Sequence, residues 1–185
     1  MFIEYNYPMQ IVTIPNPILT KKAEKVTQFN LELEKLVSEL KSTLNTSKTP
    51  GAGLACPQIA VSKRIFVAKK FFTDPAGTES YVDIVFINPE IIFTSTTINI
   101  MYEGCLSIPD TYGQVKRADK ITIRYQDESG QLKKLKAEGY FARVIQHEND
   151  HLDGILFTTK VIGEILNEKE LDTVISKQNN NYKIE

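Results

Sequence analysis

The sequence predicts an α+β fold in which antiparallel or mixed β-sheets pack around one central helix, with further helices towards the N- and C-terminal ends. Three observations carry that expectation. Short β-branched and aromatic runs, separated by turn residues, fill the middle of the chain. Helical segments do not alternate with these runs, which argues against a doubly wound parallel sheet. A helical apolar repeat precedes the strands, and a segment with paired histidines follows them. The length of 185 residues suits one domain, taken here as 1–185, with a single sizeable core.

In chain order, Pro15-Asn16-Pro17 reads as a rigid, extended turn. Phe29, Leu33, Leu36, Val37, Leu40 and Leu44 then recur at helical spacing with polar residues between them. Asn30 or Thr27 can cap this helix, and Thr49-Pro50-Gly51 stops it. Strands are expected at 64–68, 82–87, 91–93 and 121–125, with turns at Asp74-Pro75-Ala76-Gly77, Asn88-Pro89 and Asp127-Glu128-Ser129-Gly130. The last turn joins 121–125 to 132–136 as a hairpin. A second helix spans about Tyr140 to Leu152 and ends near Gly154. A third runs from Ile162 or later to about Lys177, and the tail beyond about 178, with Asn179-Asn180-Asn181, is expected to fray.

The composition, 42% hydrophobic and 24% charged with a net charge of -1, is that of an ordinary globular protein. No global field draws it to nucleic acid or to an anionic membrane. Lys69-Lys70 and Lys133-Lys134 read as solvated surface, and the segment after Val161 sets five acids against three lysines, which offers no dock for RNA. Met1-Phe2-Ile3-Glu4-Tyr5 lacks the basic start of a signal peptide, and no stretch approaches the roughly 18 apolar residues of a membrane span. Only two cysteines occur, Cys56 and Cys105, so a reducing, cytosolic setting is expected.

The chemistry starts at Gln146-His147-Glu148-Asn149-Asp150-His151, within the second helix. Side chains four apart share a helix face, so His147 and His151 can reach one ion while Glu148 projects beside it. Two neutral nitrogens hold a Lewis acid there, and the carboxylate can take a proton from water. The bland alternative, a solvated helix that happens to carry histidines, is opposed by the count: the chain has two histidines, and both are here. A catalytic site needs a third protein ligand. Glu164 or Glu168 could supply a carboxylate, as in other HExxH peptidases, and Cys56 or Cys105 a thiolate. Gly104 permits an unusual backbone turn beside Cys105, while a lone buried cysteine is most often a small hydrophobe.

Three segments together resemble the peptide deformylases, whose pattern runs GxGLAAxQ, EGCLS and QHExDH in that order. Here they read Gly51-Ala52-Gly53-Leu54-Ala55-Cys56-Pro57-Gln58, Glu103-Gly104-Cys105-Leu106-Ser107 and Gln146-His147-Glu148-Asn149-Asp150-His151. The likeness spans from Pro15 to about Phe157. The chain departs from the pattern at Cys56, where the family has Ala, and at Ala60, where Gly is frequent. Cys56 would place a second oxidisable thiol beside the glutamine, crowding the pocket or making it redox-sensitive.

The resemblance implies Cys105, His147 and His151 as the metal ligands, with a fourth position for water. It implies Fe(II) as the native ion, with zinc, nickel or cobalt able to replace it. The implied reaction removes the N-formyl group from the initiator methionine of new polypeptides and releases formate. Glu148 would take a proton from water and pass it to the leaving amine, and Gln58 and the Leu106 N–H would meet the oxyanion. Gly53 would keep the acyl site small, and Met101, Tyr140 and Val144 would line the methionine pocket. Substrate main chain would add to a sheet edge. Asp150 would orient the helix or an imidazole, or form a salt bridge; Glu103 would hold the Cys105 loop, and Arg143 could pair with either acid. The implied partners are N-formylmethionyl nascent peptides and, transiently, the ribosome, with no nucleic-acid motif and no membrane. A bacterial cytosol is the expected location, and a mature organellar enzyme would look the same. Two rivals remain at this level: a general HExxH peptidase with a carboxylate ligand, and a silent relative that only binds blocked N-termini.

Overall fold

A computed structural model describes residues 9–181; the expectation about Met1–Tyr5 lies outside them. Pro17–Thr20 forms a single 3-10 turn capped by Asn16, tighter than the extended turn expected there. The next cap is Asn30, whose side chain accepts the Leu33 N–H at 3.1 Å. A cap of this kind contributes about 1 kcal/mol by satisfying an orphan donor. It opens α1, Leu31–Thr46, which buries Leu33, Leu36, Val37, Leu40 and Leu44 at the expected spacing.

The short β1, Gly53–Ala55, is followed by a 3-10 turn, Cys56–Ile59, that ends on Ala60 in the left-handed region at φ 60°. β2, Ile65–Thr73, and β3, Glu79–Thr94, form a hairpin. The Asp74 carboxylate fixes its turn by accepting the N–H groups of Ala76 at 2.9 Å and Thr78 at 2.8 Å. The sequence reading divided β3 in two at Asn88-Pro89. Instead the strand continues through a bulge there, with Asn88 at φ 49°. Hydrogen bonds of the Asn88 amide with Val26 and Gln126, each 2.8 Å, hold that irregular backbone in place.

β4, Ile98–Cys105, and β5, Ile108–Ala118, were not anticipated as strands and form the second sheet's main hairpin. β6, Lys120–Gln126, pairs with β7, Leu132–Glu138, as the expected hairpin. α2, Gly139–Leu152, follows, and Gly154 turns the chain at φ 71°. A Cβ on Gly154 would lie 2.7 Å from the Thr20 backbone, so glycine is required twice over. The residues expected to start the third helix are instead β8, Val161–Leu166, paired with β5, and α3 occupies Glu168–Asn181. Gly163 at φ 84° and the β-branched residues around it favour pairing over helix. The helical backbone passes residue 178, and 182–185 lie outside the described residues.

All strand pairs among the described residues are antiparallel, in a five-stranded sheet β1-β2-β3-β6-β7 and a three-stranded sheet β4-β5-β8. Alternation along β2 separates two cores. Phe66 and Ala68 pack with Ala142, Ile145 and Leu152 of α2, while Ile65 and Val67 pack with Leu36, Leu40 and Leu44 of α1. The paired-histidine helix is thus clamped between the large sheet and the smaller one. Lys69, expected on the surface, is largely covered, and its Nζ sits 4.7 Å from the Tyr81 ring centroid.

Candidate active site

α2 is held rigidly before it contributes any chemistry. The Gln146 amide closes on the end of β5, donating to Ala118 O at 2.9 Å and accepting the Ala118 N–H at 3.2 Å. This anchors the turn that carries His147 and His151, whose ring centroids lie 5.0 Å apart. The end of β4 brings Cys105 to them. Its Sγ is 3.2 Å from His151 Nε2, and the ligand atoms of Cys105, His147 and His151 all lie within 4.8 Å of one another. A sulfur and a nitrogen bound to one tetrahedral ion stand about 3.5 Å apart, given bonds of about 2.3 and 2.1 Å. The spacing therefore fits a single ion. Among the described residues no other His, Cys, Asp or Glu joins this group, so neither Glu164 nor Glu168 supplies a carboxylate. Glu168 sits on the rim of the cleft instead.

The electrostatics also suit a cation. Burial opposes a charge on His147, but hydrogen bonds with Cys105 and Glu103 outweigh it and lift its pKa to about 10. Surroundings that draw a proton so strongly would draw a metal ion to the same place. Burial, with His147 beside it, pushes His151 well below the usual histidine range, which leaves it neutral and ready to coordinate.

Glu103 does more than hold a loop. It accepts Arg117 Nε and Nη2, each at 2.9 Å, Arg143 Nη1 at 2.5 Å, and pairs with His147 Nδ1 at 3.0 Å. Burial works against its charge, yet Arg117 and His147 hold the carboxyl well below the usual range. With Nδ1 taken by Glu103, Nε2 is the nitrogen left to face Cys105 in a ligand role. Asp150 touches no imidazole; it accepts Arg117 Nη1 at 2.5 Å and Lys160 Nζ at 2.6 Å, so the salt-bridge alternative holds. Arg143 pairs with Glu103 and also donates to Asn99. Arg117, the centre of the network, escaped the sequence reading. Its position 14 residues from Glu103 and 33 from Asp150 carries no local signal.

Gln58 and Glu148 complete the inner surface. Gln58 Oε1 accepts the Ala55 N–H at 2.8 Å, which turns Nε2 towards Cys105 Sγ at 3.5 Å and Ser107 Oγ at 3.3 Å. Leu106 lies in the turn between β4 and β5 and lines the same cleft. Burial pushes the Glu148 pKa up to about 7, and its Oε2 is buried without a hydrogen-bond partner. A carboxylate left in that state is poised to accept a proton near neutral pH. Gly53 makes room for it: a Cβ there would lie 2.5 Å from Glu148 Oε1 and 2.7 Å from Cγ. Gly53→Ala is accordingly expected to displace the carboxylate and lower kcat about 100-fold, the effect of misplacing a reacting group by about 1 Å. Steady-state kinetics check this, and a variant within threefold of wild type would contradict it.

The cleft encloses about 400 Å³. Val144 and Tyr140 line it, one and two turns of α2 before His147. Met101 does not. It lies two residues before Glu103 on β4, about 7 Å further along the strand, and is 40% exposed. Cys56 is also corrected: it is wholly buried in the α1 core, where burial raises its thiol pKa and leaves it a small hydrophobe. It neither crowds the cleft nor offers a reactive thiolate.

With this geometry in place, the similarities to known proteins are specific. The sequence model of the family described as polypeptide deformylase matches residues 8–165. A peptide deformylase of Prochlorococcus marinus (strain NATL1A) is 40% identical over 167 residues, 90% of this chain and 80% of that protein. The peptide deformylase of Campylobacter jejuni is 38% identical over 177 residues, 95% of this chain and 98% of that one. A crystal structure of the class I type b peptide deformylase of Acinetobacter baumannii with Met-Ala-Ser bound superposes with a TM-score of 0.75 at 31% identity, covering 83% of this chain and 98% of that one.

Proposed function

The chain belongs to the polypeptide deformylase family, metal-dependent hydrolases that remove the N-formyl group from nascent peptides, and on that premise we propose which of its residues carry the reaction. We assign Cys105, His147 and His151 as the ligands of one divalent ion. The observation that carries the assignment is the approach of Cys105 Sγ to His151 Nε2 at 3.2 Å, on the helix face that also bears His147. The thiolate and two imidazoles form a donor set that accepts Fe(II), zinc, nickel or cobalt, and we take Fe(II), which the family likeness implies, as the native ion. When bound, the ion supplies a Lewis acid that makes water nucleophilic near neutral pH and polarises the formyl oxygen.

The remaining work belongs to the chain. Glu148 accepts the proton of the attacking water and returns it to the amine that leaves with the methionine. Gln58 Nε2, already turned towards Cys105, and the Leu106 N–H donate to the oxygen on which negative charge develops. Glu148, packed against Gly53, leaves little space beside the reacting carbon, which suits formyl and excludes larger acyl groups. Val144 and Tyr140 receive the methionine side chain. Both sheets and α2 share this site, which supports reading 1–185 as one catalytic domain. No helix among the described residues is long and apolar enough to cross a membrane. We infer a bacterial cytosolic setting, where formylated nascent chains bring the enzyme into transient contact with the ribosome.

Formate release from formyl-Met-Ala-Ser, measured anaerobically on Fe(II)-loaded protein, tests the reading. Cys105→Ser is expected to lose both bound metal and turnover. A peptidase with a carboxylate ligand would keep both, and the absence of formate from intact, metal-loaded protein would overturn the assignment. A silent binder would also release none, but a buried carboxylate with an unpartnered oxygen serves no purpose in mere binding.

A further inference from the structure

Gln58 and Leu106 reach the cleft from different sheets. The turn that carries Gln58 leaves β1 of the five-stranded sheet, whereas Leu106 sits between β4 and β5 of the three-stranded one. The two turns meet directly through the Gln58 amide, which donates to Ser107 Oγ at 3.3 Å. A second link comes from residues 9–14, which belong to neither sheet. There the Val12 N–H donates to Gln58 O at 2.8 Å, and the Ile14 N–H donates to Ser107 O at 3.0 Å. Gln58 and Ser107 are both buried, so water does not compete for either bond.

Amides two residues apart leave the same edge of an extended chain, about 7 Å from one another. Residues 9–14 thus act as a strap that bridges the two turns at a set length. Both ends of the strap are fastened. The Met9 N–H donates to Thr43 Oγ1 at 3.1 Å, and Met9 and Ile11 pack on the α1 core. Beyond Ile14, Asn16 caps the turn that buries Leu19. Donors to a developing oxyanion act only over a narrow range of distance, about 2.7–3.1 Å. Two donors carried by separate sheets therefore need their separation fixed. We propose that the strap, through the Val12 and Ile14 N–H groups, fixes the separation of the two oxyanion donors, Gln58 Nε2 and the Leu106 N–H. Neither Val12 nor Ile14 lines the cleft, so both are positioning residues. The inference rests on the deformylase reading above and adds what keeps its two donors aligned.

Proline suits extended backbone but has no N–H, so Val12→Pro deletes one bond of the strap. Its kcat for formyl-Met-Ala-Ser is expected to fall about tenfold, part of the roughly 10²–10³-fold lost when an oxyanion donor itself is removed. KM and metal content should stay at the wild-type level. Val12→Ala, which keeps the N–H, should recover kcat to within about twofold of wild type. In a Gln58→Ala background Val12→Pro should cost no more than about twofold, because only one donor is left to align. Val12→Pro with wild-type kcat overturns the strap's role. An equal loss with and without Gln58 also overturns it, since that marks a general weakening of the fold. Amide hydrogen exchange on the wild-type chain decides the question even where Val12→Pro does not fold. A hydroxamate analogue of the substrate, which sets an anionic oxygen in the site, should slow exchange at Val12 and Ile14 about threefold more than the product Met-Ala-Ser does. Equal protection by the two ligands overturns the proposal. Absence of formate from wild-type, metal-loaded protein overturns the deformylase reading and the strap's role with it, whereas turnover that ignores Val12→Pro overturns the strap's role alone.

Discussion

Glu148→Gln is expected to lower kcat for formyl-Met-Ala-Ser by roughly 10²–10⁴-fold, the usual contribution of a positioned proton acceptor. Its metal content should stay at the wild-type level. The substitution separates two roles that truncation to alanine would merge. Glutamine preserves the volume that packs against Gly53, where the Cβ space is filled by Glu148 Oε1 and Cγ, so the loop and helix keep their spacing. What it removes is the capacity to take a proton. The ligands Cys105, His147 and His151 are untouched, and His147 keeps its bond to Glu103 at 3.0 Å. KM should change little, because the lost interaction strengthens only as the proton moves. Elemental analysis beside steady-state kinetics provides the check. A variant that keeps its metal and works within tenfold of wild type would remove Glu148 from the proposed role.

The residues whose relation is local were legible in the sequence. His147, Glu148 and His151 follow from helix periodicity alone, and α2 appears where that periodicity put it. Cys105 and Gln58 were reached through the resemblance of their segments, since nothing in a one-dimensional pattern states that they meet. Partners far apart in the chain left no such trace. Arg117 lies on a strand of mixed polarity, Tyr112-Gly113-Gln114-Val115-Lys116-Arg117, which lacks the β-branched run that marks a strand. Its partners become evident only once β4 and β5 pair.

The errors have the same origin. Met101, which the resemblance sets in the methionine pocket, is carried about 7 Å beyond Glu103 by two residues of strand and does not line the cleft. Asn88-Pro89 looked like a chain reversal because those residues favour turns, but the Asn88 amide bonds with Val26 and Gln126 that hold the bulge come from segments far off in sequence. Cys56 was put near the chemistry because Gln58 is. The 3-10 turn that carries both sends the glutamine towards Cys105 and the thiol into the α1 core.

Glu103→Gln is expected to destabilise the fold and weaken metal binding together, although Glu103 is not itself a ligand. The wild-type carboxylate receives three bonds from the guanidinium groups of two arginines and one from an imidazole, and both arginine side chains are only 3% exposed. Glutamine has the same shape but one acceptor in place of two, and its amide would face donors. Arg117 would keep Asp150, and Arg143 would keep Asn99, but the charge that compensates both would be gone. Removing one partner of a buried ion pair costs about 3–5 kcal/mol, which for a chain of this size lowers Tm by roughly 10 °C. The second effect runs through His147, whose Nδ1 would lose its anionic partner, and such losses weaken metal affinity about 10–100-fold. Calorimetry on metal-free protein isolates the first effect, and competition with a chelator the second. A variant that melts with wild type while binding metal more weakly would confine Glu103 to orienting the imidazole. The reverse result would confine it to neutralising the arginines. The geometry, with one carboxylate shared between the two tasks, predicts that both measurements move.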